Sequence, residues 1–184
     1  LYIQQNKLSE AEEAFKLILK LAPKEASAHF YLANIYDILK DRKAAIDELK
    51  KALEAKSDYH EALNYLGYIY VEDNVNLAQA GRMIKKALAS EPDNGAYVDS
   101  LGWFYFKKAK YKDALRELKR AASLTEDAVI YDHLGDTCYK LKDTQSALIN
   151  WEKSLKVNPE QDSVGKKIEE LKAQCKTQTQ KFKN

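Results

Sequence analysis

Apolar positions along the chain recur at helical spacing in short blocks, and the blocks themselves recur. In SLGWFYFKKAKYKDALRELKRAAS, Ser100 to Ser123, the residues Leu101, Gly102 and Tyr105 fall at i, i+1 and i+4. That spacing puts them on one side of a helix, and Ala114, Leu118 and Ala121, at i, i+4 and i+7, make the matching seam of a second. The pair Leu101-Gly102 returns as Leu66-Gly67 and Leu134-Gly135, with Leu32-Ala33 upstream. The small residues at 33, 67, 102 and 135 are spaced 34, 35 and 33 apart. Three residues after each stand Tyr36, Tyr70, Tyr105 and Cys138; the alanines 45, 80, 114 and 147 follow, and four beyond them Leu49, Ile84, Leu118 and Trp151. A fixed period of this length predicts a helical solenoid. All three prolines, Pro23, Pro92 and Pro159, share one phase, where proline ends a second helix and sets the turn into the next pair.

The pattern resembles the tetratricopeptide repeat: a large residue, two spacers, Leu-Gly, two spacers, Tyr, then Ala, three spacers, an aromatic or large residue, and Pro. The resemblance implies an all-α fold, a right-handed superhelical solenoid of antiparallel helix pairs with a C-terminal capping helix. One array is expected over 1–175: a partial repeat 1–25 (Tyr2, Ala11, Phe15, Pro23), repeats 26–57, 60–91, 94–125 and 127–158, and a capping helix 162–175. A polar, basic tail, 176–184, follows. The large first position reads His29, Leu63, Val98 and Tyr131, never Trp. One extra residue in VEDNVNLAQA predicts a longer turn there, and one missing residue in SLTEDAVIYD a tighter one. The later repeats, from EALNYLGYIY to YDHLGDTCYK, are similar to those of bacterial multi-repeat proteins.

Composition agrees with a helical chain, since 184 residues hold only 6 Gly and 3 Pro. With 30 basic and 28 acidic residues the net charge is +2, which gives no global electrostatic argument for nucleic acid or membrane. Cys138 and Cys175 share no metal-ligand spacing, and no apolar run approaches a membrane span. Three histidines are too scattered for a catalytic centre: His29 reads as a packed residue, His60 lies at a helix start, and His133 and Cys138 do not stack on one turn. No glycine-rich phosphate loop or nucleophile elbow is present. The expectation is a non-enzyme with no cofactor, metal or nucleic-acid partner and no direct membrane insertion. The compartment is not fixed by the sequence: the cytoplasm is favoured, with the cell envelope or periplasm the alternative should a targeting segment precede Leu1.

Four consecutive aromatics, Trp103, Phe104, Tyr105 and Phe106, exceed what one helix face can bury. Tyr105 belongs to the helix-pair seam. In tetratricopeptide arrays the first helices line the concave surface, and the resemblance implies that their second, fifth, ninth and twelfth positions point into the groove. Carried over, the candidate peptide-binding residues are Phe30, Asn34 and Asp37; Asn64 and Tyr68; Asp99, Trp103 and Phe106; and Asp132, Asp136 and Tyr139. An exposed aromatic row interleaved with carboxylates would take a protein or peptide with apolar anchors and basic flanks. Two readings stay open for these rings: docking of a partner, or packing against neighbouring first helices. A clamp for an acidic carboxy-terminal tail is disfavoured, because no basic residue stands at the fifth or ninth positions. The alternative function is a scaffold that self-associates into a homo-oligomer. Lys50-Lys51, Lys85-Lys86 and Lys119-Arg120 share one phase, and are read as a solvated, dipole-favoured helix end rather than a basic docking ridge.

Overall fold

The computed structural model describes residues 7–181 of the chain. Among the described residues there are ten helices: α1 (Leu8–Leu21), α2 (Ala26–Ile38), α3 (Arg42–Ala55), α4 (His60–Glu72), α5 (Leu77–Ser90), α6 (Gly95–Lys107), α7 (Tyr111–Leu124), α8 (Ala128–Lys140), α9 (Thr144–Val157) and α10 (Asp162–Lys181). Helices α2/α3, α4/α5, α6/α7 and α8/α9 fall in the ranges 26–57, 60–91, 94–125 and 127–158. Tyr2, assigned to the partial repeat, lies outside the described residues, as does 182–184 of the tail. The last helix does not stop at 175 but runs through Lys181. Lys, Gln and Thr in that stretch include good helix formers and no Gly or Pro to end it.

Each pair is closed by the same local devices. At the end of the first helix one residue takes positive φ: Lys40, Asn74, Ala109 or Lys142, at one repeat position. The next amide reaches back to the carbonyl of the recurrent Tyr or Cys, as in Asp41→Tyr36, Val75→Tyr70, Lys110→Tyr105 and Asp143→Cys138, at 2.8–3.0 Å. This six-residue closure satisfies carbonyls that a helix end would otherwise orphan. Asp41, Asn94, Asp127 and Asp143 then cap following helices with side-chain oxygens. The extra residue of VEDNVNLAQA appears as a second left-handed position, Asn76, between α4 and α5. The turn between α7 and α8 is the tighter one expected, Leu124 to Ala128.

The chain divides into two compact units, residues 1–91 and 92–184. In the first, Ala11, Leu32 and Ile35 bury against Leu8, Phe15, Leu19 and Tyr36. In the second, Cys138, Ala147 and Trp151 join Val164, Ile168 and Leu171 of α10, so the capping helix closes an apolar core. The seam positions Ala45, Leu49, Ala80, Ile84, Ala114 and Leu118 are fully buried. Gly102 sits where a Cβ would meet Leu118 Cγ, and Gly135 where one would meet the Trp151 indole.

Candidate protein-interaction surface

In the first unit, α2 and α4 carry the candidate positions. Asp37 accepts from Tyr65 Oη of α4 at 2.6 Å and from Arg42 Nη1 at 2.9 Å. Burial, then the bond to Asp37, hold the Tyr65 phenol well above its ordinary pKa. Asn34 turns its amide back to the Phe30 carbonyl of its own helix at 2.8 Å. Phe30 lies among three tyrosine rings, Tyr31, Tyr59 and Tyr65, with centroids 5.4–6.3 Å away. It stays half-buried, as do Asn64 and Tyr68. Asn64 Oδ1 is shielded and makes no hydrogen bond.

In the second unit, Asp99 of α6 accepts from His133 Nδ1 of α8 at 2.9 Å, both groups buried. The His133 ring stacks on Trp103 at 3.9 Å, and Phe106 covers the indole at 4.3 Å. Lys167 of α10 reaches Asp132 and Asp136 of α8, each at 2.7 Å, and Trp151 Nε1 donates to Asp136 at 3.0 Å. Burial works against the Lys167 ammonium, but the two carboxylates outweigh it and raise its pKa. Burial, with the charge of Asp136 close by, lifts the Asp132 carboxyl despite the bond from Lys167. Tyr139 stays half-buried, tilted against Trp151 at 5.8 Å, and its hydroxyl donates to Gln174 Oε1 at 3.4 Å.

Two expectations are corrected here. Trp103 was expected to face a groove, yet it is only 7% exposed, because His133 of the next first helix lies flat on it. Asp99 is withdrawn in the same way, at 6%. Asp37, Asp99, Asp132 and Asp136, the carboxylates expected to attract a basic ligand, are all paired within their own unit. Phe30, Tyr68, Phe106 and Tyr139 stay partly accessible, as do Asp37, Asp132 and Asp136, whose carboxylates are nonetheless paired.

The device that sequence reasoning missed is this link between successive first helices. Tyr65, His133 and Lys167 all lie two residues before the small position of the 34-residue period, the last by extending that period into α10. A polar side chain at that phase, with Asp on the preceding first helix, was the available signal. Three of the recurrent cations make contacts within the chain. Lys86 donates to the Ser57 carbonyl at 2.8 Å and Arg120 to the Pro92 carbonyl, so both tie a second helix to the turn before its own partner. At the corresponding place in the first full repeat, His29 Nε2 bonds the Pro23 carbonyl at 3.1 Å, and Lys51 turns to Glu48. Cys138 is buried, and burial raises its thiol pKa, which disfavours the reactive thiolate. Among the described residues no three His, Cys, Asp or Glu side chains gather to hold a metal ion, and no helix is long and apolar enough to cross a membrane.

A family model for the tetratricopeptide repeat matches residues 1–60. The chain is 28% identical over 130 residues to the TPR repeat-containing protein PA4667 of Pseudomonas aeruginosa, covering 69% of this chain and 22% of that protein. It is 30% identical over 129 residues to the type IV pilus assembly protein PilF of the same organism, covering 67% of this chain and 50% of PilF. The chain thus spans half or less of these relatives' lengths. The solved structure of TTC0263, a thermophilic TPR protein of Thermus thermophilus, superposes with a TM-score of 0.73 at 19% identity, covering 92% of each chain. Period, paired helices and buried Leu-Gly seam agree with these matches: the chain is a tetratricopeptide repeat protein, similar to bacterial multi-repeat members of that family.

Proposed function

We propose that this chain is a protein-binding module that takes a peptide or partner helix on the aromatic positions of its first helices. The observation that carries this reading is the difference between charge and ring at those positions. Asp99 is buried and Asp37, Asp132 and Asp136, though partly exposed, already bond Tyr65, Arg42 and Lys167, while the partly exposed rings of Phe30, Tyr68, Phe106 and Tyr139 carry no such charge pairing. Half-exposed aromatics held on packed helices give apolar contact area with little entropy left to lose on binding. The ligand is therefore recognised chiefly by apolar anchors, and basic flanks add little, since their partners are already paired. The relative PilF is named for type IV pilus assembly, which fits a scaffold or adaptor in assembly as the setting.

The test is capture of partners from a cell lysate by this chain beside a Phe30→Ala/Tyr68→Ala/Phe106→Ala variant of unchanged helicity. Trp103 is left intact, because truncating a buried indole costs about 3–5 kcal/mol of fold stability and would confuse the readout. A partner held by the native chain and lost by the variant is the expected result. Equal capture by both contradicts the reading and leaves self-association as the function to pursue.

A further inference from the structure

Between the end of α6, the end of α8, the middle of α9 and α10 lies a cavity of about 220 Å³, wholly within the second unit. Its walls are Phe106, Tyr139, Trp151 and Leu171. Trp151 and Leu171 are almost fully buried and make the floor, whereas Lys140, Glu170 and Gln174 stand exposed at the mouth. The charged lining cancels: Asp136 and Glu170 are matched by Lys140 and Lys167, with Lys167 already bonded to Asp136. The size decides the class of occupant. It exceeds the ~150 Å³ that holds a benzene ring in a dry apolar cavity. It falls short of the ~300 Å³ at which small-molecule pockets begin.

We infer that this cavity is an anchor pocket for one bulky, uncharged side chain of the bound protein, an indole or phenyl group, presented by a segment lying along Phe106 and Tyr139. The inference rests on the partner-binding reading above and deepens it, since Phe106 and Tyr139 belong to both. A charged side chain gains nothing in the pocket: its lining has no net charge to offset the lost hydration. A ring gains four apolar walls.

The test uses the full chain, labelled for amide and indole N–H resonances, titrated with N-acetyl-tryptophanamide and N-acetyl-phenylalaninamide. N-acetyl-lysinamide and N-acetyl-glutamate amide serve as charged probes. The expected result is a saturable shift of the Trp151 indole N–H and of the Tyr139 and Gln174 amides with the aromatic probes only. A Gln174→Trp variant, altered at an exposed position and checked by its melting curve, should fill the mouth and abolish the response. Absence of a saturable shift, equal response to the charged probes, or survival of the response in Gln174→Trp overturns the pocket. If Gln174→Trp still captures the partner that the triple alanine variant loses, the pocket fails while the first-helix reading stands.

Discussion

A methyl group added to Gly102 would sit 2.6 Å from Leu118 Cγ, closer than real contacts allow, and 3.2 Å from the Leu118 backbone nitrogen, tighter than most. Alanine is the better helix former by nearly 1 kcal/mol, but here the clash involves the root of a fully buried side chain and its backbone. Gly102→Ala should therefore lower stability by about 1–3 kcal/mol in denaturant titration, against the sign of its helix propensity. This position was legible in the sequence, since Leu-Gly recurs with the period and close packing is what such a glycine is for. Trp103, one residue on, was not. Its fate is set by His133, thirty residues later, whose ring lies on the indole while its Nδ1 bonds Asp99. Periodicity places a side chain on a helix face, but it does not say what the next helix sets against that face.

At the scale of the element, α10 shows why a capping helix is more than a polar lid. Val164, Ile168 and Leu171 close the core, and Lys167 ties the helix to Asp132 and Asp136 of α8. Lys167→Met leaves two carboxylates side by side without their cation. The cost should be about 1–3 kcal/mol, between that of exposed and of fully buried ion pairs, with loss of amide protection concentrated in α10. The sign with pH follows from the raised lysine. Its contribution is complete below the ordinary value of 10.5 and is lost as pH rises through the elevated folded value, so the gap between native chain and variant narrows in strong base. At the acid end the variant regains stability, because the folded state favours protonation of Asp132, whose pKa is already lifted. The pairing of the helices and the two unequal turns were readable from spacing, whereas the end of α10 was not. The tie was not, because Asp132 and Asp136 had been set on the partner-facing side by analogy with other repeats.

Within each unit, the charges expected to define a ligand instead join neighbouring helical layers. Under the proposed function, the aromatic positions supply the partner-facing chemistry. Solenoids are stabilised by neighbour-to-neighbour contacts, so a polar link repeated between successive first helices suits the fold as well as the function. The most direct test is amide hydrogen exchange of the chain, free and bound to a partner captured from lysate. The account predicts slowed exchange in α2, α4, α6 or α8, around Phe30, Tyr68, Phe106 and Tyr139, with α3, α5 and α7 unchanged at Lys50, Lys85 and Lys119. Protection confined to those second-helix segments, with the first helices unaltered, would contradict it.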